Sequence, residues 1–248
     1  MNSPNNGSRN RLLAVLSSAD RELLTPSLEV IELDARQILE APSDPVRHVY
    51  FVESGLVSVV GTTEPDHRIE VGMVGYEGMT GLCIVLGDDR SANETVVQSS
   101  GTAMRLPTEA LRELMKASRS LTTTLLRYVN VFMVQGSQTA LANGRGRLDE
   151  RLARWLLMWH DRVLADELII THEFLALLLG VRRQGVTVAL HELEGKGLIR
   201  STRSHVRVLD RDGLQKAANG FYGIPEAEYD RAIGVIHGRL GAGRPRQS

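Results

Sequence analysis

The residues with the clearest chemistry follow Gly180, where arginine, glutamine and threonine occur within a short stretch. Arg183 can donate two hydrogen bonds to guanine O6 and N7, and Gln184 can pair with adenine through its amide. Thr187 can hydrogen-bond a base or touch a thymine methyl group. Because these residues lie near the start of a predicted helix, they would face base edges when that helix enters a major groove. The pattern predicts a base-reading surface.

Basic side chains flank this surface. Such residues bind phosphates and give affinity without sequence information. The predicted phosphate contacts are Arg182, Lys196, Arg200, Arg203 and His205. Residues 144–248 carry 17 basic and 13 acidic side chains, whereas residues 1–143 carry 12 and 17, although the whole chain is near neutrality at -1. This asymmetry is expected of a nucleic-acid-binding half joined to a half that does not bind.

A helix-turn-helix is the element that would position these side chains. Thr171 is a suitable N-cap for a first helix that ends at Gly180, and a second helix begins a few residues later. The small side chain of Ala176 lets the two helices cross closely. Residues 195–200 and 201–209 follow as two short strands around a basic tip. The sequence therefore predicts a winged helix-turn-helix.

The N-terminal part predicts a β-rich domain. Short segments rich in Val and Ile, between residues 28 and 106, are separated by Gly, Pro, Asp and Ser. This spacing favours an antiparallel sandwich or roll. Glu53-Ser54-Gly55 is predicted to be a hairpin turn, because the glycine can adopt positive φ. The expected fold class is α+β, with an N-terminal antiparallel β-roll of the jelly-roll type.

A long helix is predicted over residues 120–143. Apolar and small residues recur along it at helical spacing and would allow close approach of a second helix. The predicted homodimer seam consists of Leu121, Leu125, Val129, Phe132 and Gly136. The alternative is a helix packed on its own β domain.

Asn143-Gly144-Arg145-Gly146 is the strongest break in the chain and is interpreted as a hinge between domains. It separates a sensor part from a DNA-binding part. The predicted units are a β-roll sensor domain at 11–118, a dimerisation helix at 119–143, a winged helix-turn-helix domain at 144–220 and a C-terminal extension at 221–248.

Composition limits the other function classes. The single cysteine, Cys83, cannot form an internal disulfide or the thiolate set of a zinc or iron–sulfur site. A polar start without a signal-peptide core, and no apolar window long enough for a membrane span, predict a cytoplasmic protein. No phosphate-cradling glycine loop, metal-spaced His/Cys set or nucleophile motif is found. We therefore expect neither an enzyme nor a cofactor or metal site.

The sequence resembles the Crp/Fnr family of transcription regulators over roughly residues 11–209. Residues 48–59 are similar to the early roll strands of the family, residues 151–157 are similar to the helix after the hinge, and the DNA-binding segment is the most specific match. The resemblance implies a cyclic-nucleotide-binding-type roll, a long dimer helix and a winged helix-turn-helix. It also implies a homodimer on double-stranded DNA at a near-palindromic operator, with RNA polymerase as a further partner.

A ligand site in the roll is also implied by the resemblance. The family holds the phosphate of a cyclic nucleotide between a Gly-Glu-Leu turn and an Arg-Ser pair, and this chain has Gly78-Met79 and Arg90-Ser91 there. Met79 replaces the ribose-binding glutamate, which disfavours cyclic AMP and favours an unidentified small anionic effector. Ser137 is the approximate equivalent of a base-binding residue of the long helix. The alternatives are a Ser137 hydroxyl bonded to its own helix and a roll that has lost ligand control.

The same resemblance bears on the operator. Arg183 matches the guanine-reading arginine of the family, Gln184 replaces its usual glutamate, and Val188 stands where many members have a second arginine. We therefore expect an operator that differs from the common family sites, with half-sites about 34 Å apart. The alternative function is a regulatory roll that acts through protein contacts, with the C-terminal domain only structural.

Overall fold

The computed structural model of the protein describes residues 8–63, 68–163, 167–202 and 204–234. Two short helices, α1 (Arg11–Ala14) and α2 (Ser18–Leu24), and a 3-10 turn (Thr25–Ser27) lead into a β domain. Its elements are β1 (Glu29–Leu33), β2 (Ile38–Glu40), β3 (His48–Thr62), β4 (Arg68–Val74), α3 (Leu82–Val85) and β5 (Glu94–Pro107). The strands pair antiparallel in the order β1-β5-β3-β4, and β2 also pairs with β5. The predicted antiparallel roll is confirmed.

Strand β3 overturns the expectation that Glu53-Ser54-Gly55 forms a hairpin turn. The strand continues through these residues, and its register with β5 shifts on both sides of Ser54. Gly55 has a left-handed φ of 84°, and a Cβ there would lie 2.5 Å from the carbonyl oxygen of Ser99. The glycine therefore permits a bulge that bends one long strand instead of a reversal between two short strands.

Three helices connect the roll to the C-terminal part: α4 (Thr108–Ala117), α5 (Arg119–Arg145) and α6 (Leu148–Arg162). The Ser118 hydroxyl caps α5 by accepting a hydrogen bond from the backbone N–H of Leu121 at 3.2 Å. The helix includes Gly144 of the expected hinge, and the chain leaves helical geometry only at Gly146, with φ −78° and ψ 143°. Across the described ranges, the helices are too short or too polar to span a bilayer.

The predicted dimer seam is wrong for its main residues. Leu121 and Leu125 are fully buried and Val129 is 4% exposed within a single chain, where they share a core with Phe51 of the roll. Residues already covered by their own domain cannot form a surface for a second chain. This face of α5 therefore fits the alternative, a helix packed on its own β domain.

The last two residues of the predicted seam also lie on the side of the roll. Phe132 is partly buried, and a Cβ added at Gly72 of β4 would lie 2.6 Å from its ring. Gly136 is partly buried with the carbonyl of Val71 3.9 Å from its ideal Cβ position. A Cβ at this distance would make an ordinary van der Waals contact, so the packing of α5 on β4 does not require glycine at 136.

The C-terminal part is built on α6. Its further elements are β6 (Glu167–Ile169), α7 (His172–Leu179), α8 (Arg183–Gly195), β7 (Ile199–Thr202), β8 (His205–Val208), α9 (Arg211–Ala217) and α10 (Ile224–Ala232). The strands form an antiparallel sheet in the order β6-β8-β7. Trp155 and Trp159 of α6 are buried against the apolar sides of α7, α8 and the sheet. This is the expected winged helix-turn-helix, with a third strand, β6, that the sequence did not predict.

Helix α10 leaves the winged domain and returns to the long helix. Tyr229 is 3% exposed in the core of the roll and α5, and its hydroxyl donates to the carbonyl of Glu77 at 2.8 Å. On the helix surface, the Asn130 amide donates to the carboxylate of Glu228 at 3.0 Å. The C-terminal extension therefore connects the DNA-binding part to the sensor part.

Candidate nucleic-acid interface

The turn between α7 and α8 is set by two residues. The Thr171 hydroxyl accepts from the backbone N–H of Phe174 at 3.2 Å and caps the start of α7. Gly180 ends α7 with φ +62°, and a Cβ there would lie 2.8 Å from Cδ1 of Ile69 in β4. The left-handed backbone therefore favours glycine at this turn, whereas the end of the Ile69 side chain could shift to admit a Cβ.

Helix α8 has a clear inner and outer face. The inner face is buried and consists of Val186, Ala189, Leu190 and Leu193. The outer face is exposed and includes Arg183, Gln184, Val188, His191 and Glu192, with Thr187 partly exposed beside them. The structure thus brings the three predicted base-reading residues together on the exposed first turns of one helix, which is the part that enters a major groove in this motif.

Thr187 is held by contacts within the chain. Its hydroxyl donates to the carbonyl of Arg183 at 3.2 Å. Nδ1 of His172 lies 3.1 Å from the hydroxyl oxygen of Thr187. Burial, and then the positive charges of Arg183 and His191, lower the pKa of His172 below its usual value. The His172 ring is therefore neutral at neutral pH, and the engaged hydroxyl favours the methyl group of Thr187 for contact with a base.

The predicted phosphate contacts lie around this helix. Arg182 is exposed at the N-cap of α8, and Lys196 just after its end has Nζ 3.6 Å from Oδ2 of Asp149. On the sheet, Nδ1 of His205 lies 3.4 Å from Oε1 of Glu167. Both contacts are long, and Lys196 is 52% exposed, so its ammonium group remains available to phosphate. Nδ1 of His205 is buried, so this atom does not face a phosphate. Arg203 lies outside the described residues.

Arg207 belongs to the basic tip of the predicted wing but was not among the predicted phosphate contacts. The register of β7 and β8 places it directly opposite Arg200, and both side chains are exposed on the outer face of the sheet. The carboxylate residue Glu167 of β6 pairs with Arg207 on its other side, so the two arginines and one glutamate form an exposed row with a net positive charge. The alternation of Arg207 with buried Val206 and Val208 was the available signal.

A cavity of about 240 Å³ lies in the roll beside α5. Met79, Arg90 and Ser91 line it together with Val129 and Phe132 of α5. The Arg90 guanidinium donates to a backbone carbonyl in the loop after β2 and is about half exposed, at 54%. The structure therefore brings Arg90 and Ser91 to one cavity, whose wall is otherwise largely apolar.

Glu40 is a cavity residue that sequence reasoning missed. Its carboxylate accepts from the backbone N–H of Gly81 at 2.7 Å, and burial raises its pKa although hydrogen bonds from Gly81, Thr80 and Thr95 lower it. No local signal marks Glu40, because it lies 41 residues before its partner. Ser137 is not among the described lining residues; it is exposed, and its hydroxyl donates to the carbonyl of Met133 at 2.9 Å.

Two family models match the chain, one in its N-terminal part and one in its C-terminal part. A cyclic nucleotide-binding domain matches residues 30–118, and a Crp-like helix-turn-helix domain matches residues 150–217. The chain belongs to the Crp/Fnr family of transcription regulators. The transcriptional regulator SdrP of Thermus thermophilus is 26% identical over 203 residues, which covers 79% of this chain and 96% of the relative.

Solved structures share the Crp/Fnr fold with this chain. FixK2 from Bradyrhizobium japonicum has a TM-score of 0.67 and 16% identity, covering 77% of this chain and 96% of its own. CLP, the c-di-GMP responsive global regulator of Xanthomonas campestris, has a TM-score of 0.64 and 18% identity, covering 77% and 99%. Two of the sequence predictions, the Crp/Fnr resemblance and the fold class, are confirmed.

The joint between the two parts of this Crp/Fnr protein contains a buried carboxyl group. Oε1 of Glu70 in β4 accepts from Nε1 of Trp155 in α6 at 2.7 Å, and Oε2 accepts from the Ser58 hydroxyl at 2.6 Å. Burial raises the pKa of Glu70 to about 7, against the opposing hydrogen bonds and the charges of Arg154 and Arg162. The sensor and DNA-binding parts are thus joined at a group that binds a proton in the folded state.

We expect Glu70→Gln to flatten the pH dependence of stability. The pKa of Glu70 is about 7 when folded and ordinarily 4.5, so the unfolded chain loses this proton first as pH rises. The stabilising contribution is therefore complete below pH 4.5 and lost by about pH 7, about 3 kcal/mol for a shift of this size. In urea unfolding from pH 4.5 to 8, the free energy of unfolding of the variant should rise relative to that of the wild type as the pH increases. A constant difference between the two proteins would contradict the assignment.

Proposed function

We propose that this Crp/Fnr regulator binds a near-palindromic operator as a homodimer, with α8 of each chain in a major groove. The observation that carries the proposal is the exposed turn of α8 that combines Arg183, Gln184 and Thr187. The exposed cations Arg200 and Arg207 on the neighbouring sheet support it, because cations beside a recognition helix bind DNA phosphates. We expect the protein to act in the cytoplasm, with RNA polymerase as a further partner and without a catalytic role.

The proposed dimer seam is the outer face of α5. Its exposed residues follow alternating steps of four and three along the helix, the repeat of a two-stranded coiled coil. The stripe consists of Thr123, Leu126, Asn130, Met133, Ser137 and Ala140. Leu126 and Met133 are 44% and 62% exposed in the single chain, so a second copy would remove apolar surface from water. Parallel packing of two stripes would set the two α8 helices at half-sites about 34 Å apart.

The roll cavity is the proposed effector site. Arg90 and Ser91 supply a cation and a hydroxyl, which suits a small anionic ligand. Met133 lines the same cavity and belongs to the proposed seam, so a ligand would touch the dimer helix and could bias its packing. Because the similar structure of CLP is described as c-di-GMP responsive, c-di-GMP is the first ligand to test.

Selection of bound fragments from random double-stranded DNA tests the proposed function. We expect a short inverted repeat to be enriched, since a two-fold symmetric dimer reads two equal half-sites. Recovery of DNA without a shared sequence, at a low salt concentration only, would contradict specific regulation. Retention that falls steeply with salt for every fragment is the signature of phosphate contacts alone.

Arg183→Ala is expected to cost about 1 to 3 kcal/mol on the selected operator and to relax preference at one symmetric pair of positions. Arg200→Ala is the matched control, because it removes a cation of equal charge from the neighbouring sheet. The control should weaken all sequences alike and reduce the salt slope by about one for each chain. Competition binding with single-base operator variants measures both effects. Equal losses on every variant for Arg183→Ala would mean that Arg183 binds phosphate.

A further inference from the structure

Val188 is an apolar side chain on the polar outer face of α8. It is 58% exposed and lies one turn after Gln184 and about one turn before His191, both of which are exposed. The buried side of α8 is complete without it, because Val186, Ala189 and Leu190 form the contacts with the core. Single exposed apolar side chains are common on protein surfaces, and Val30 is another one here. Val188 differs by its position, because it lies on the helix face that carries Gln184 and Thr187. We therefore look for the reason for this side chain in a ligand of that face.

Helix formation does not supply that reason. Valine is a poorer helix former than alanine, glutamine or arginine, since its branched Cβ loses rotamer freedom in a helix. The same restriction keeps its two methyl groups in one main orientation, so little entropy is lost when they meet a ligand. An exposed valine at this place is thus neutral or unfavourable for folding and well suited to a fixed apolar contact.

We propose that Val188 selects a thymine in each half-site by contact with its C5-methyl group. The inference rests on the proposed function, in which the outer face of α8 enters the major groove. Val188 can neither donate nor accept a hydrogen bond, and the thymine methyl is the apolar group that unmodified base pairs display in this groove. Arg183 and Gln184 read neighbouring bases through hydrogen bonds, whereas Val188, like the methyl group of Thr187, reads a base by shape. The thymine assigned to Val188 is the one whose methyl dependence changes when Val188 is replaced.

The test uses the selected operator with single thymines replaced by deoxyuridine, which removes the methyl group and keeps base pairing. We expect one thymine per half-site at which the wild type loses about fourfold in affinity, and about fifteenfold when both half-sites are changed, the value for burial of one methyl group each. Val188→Ala should bind the thymine operator more weakly and show no loss on the deoxyuridine operator. Because Val188 is exposed, the variant should fold, which its thermal unfolding will verify.

A second readout uses cytosine at the same position. Replacement by 5-methylcytosine restores a methyl group at the same place in the groove and should recover about fourfold in the wild type and nothing in Val188→Ala. A wild type that is indifferent to the methyl group at every thymine, or a Val188→Ala variant with the same methyl dependence, would overturn the proposal. Either result leaves operator binding intact, whereas failure to select any operator would instead overturn the proposed function.

Discussion

Leu126→Lys is expected to convert the protein to a monomer and to lower operator affinity by at least about a hundredfold. In a dimer the stripe on α5 would place two such lysines against each other at the seam, where each unpaired buried charge costs about 3 to 5 kcal/mol. The single chain tolerates the change, because Leu126 is 44% exposed. Each monomer would bind one half-site. It would lose the additional affinity that a dimer obtains when its two linked DNA-binding domains bind both half-sites. Sedimentation at micromolar concentration and operator titration are the measurements.

Val30→Lys is the control for this substitution. Val30 is an apolar residue of β1 with a similar exposure of 59%, so it receives the same charge far from α5. We expect this control to remain dimeric and to bind the operator normally. A Leu126→Lys variant that sediments as a dimer would show that the seam lies elsewhere. Lysine at Leu125 would give no such information, because that side chain is fully buried and the roll itself would be disrupted.

The DNA-binding unit could be predicted from sequence because its signals are local. Thr171, Gly180 and the spacing of Val186 and Leu190 define caps, turn and inner face within about twenty residues. Local periodicity was insufficient for α5, which carries two apolar stripes of similar spacing. One contains Leu125 and packs on the roll, whereas the other contains Leu126 and is exposed. Only the tertiary position of the helix shows which stripe is free.

Contacts between distant segments also escaped prediction. Glu70 and Trp155 are 85 residues apart, and Tyr229 lies 152 residues from Glu77. Neither pair belongs to a repeating pattern, so single-sequence reasoning has no way to connect them. The hairpin turn predicted at Gly55 was wrong for another reason, because a glycine with positive φ occurs both in tight turns and in β-bulges. The pairing of β3 with the long strand β5 on both sides of Gly55 shows that it is a bulge. This pairing exists only in the folded sheet.

Arg162→Met is expected to lower the free energy of unfolding by about 3 to 5 kcal/mol. Nε of Arg162 in α6 lies 2.6 Å from Oε1 of Glu77 in the roll, and each side chain is 5% exposed. The guanidinium also donates to the carbonyl of Met158 at 2.9 Å. Methionine fills similar space but leaves the Glu77 carboxylate buried without its cation. Urea unfolding at one fixed protein concentration measures the loss.

Two further variants distinguish a buried charge from simple loss of packing. Arg162→Met combined with Glu77→Gln removes both charges, while glutamine can still accept the hydrogen bond that Gly75 N–H gives to Glu77 at 3.1 Å. We expect the double variant to recover part of the stability lost by Arg162→Met. Arg231→Met breaks an Arg–Glu pair in which Arg231 is 70% exposed, and should change the free energy of unfolding much less than Arg162→Met does. Equal losses for Arg162→Met and Arg231→Met would show that the joint between sensor and DNA-binding parts does not depend on this ion pair.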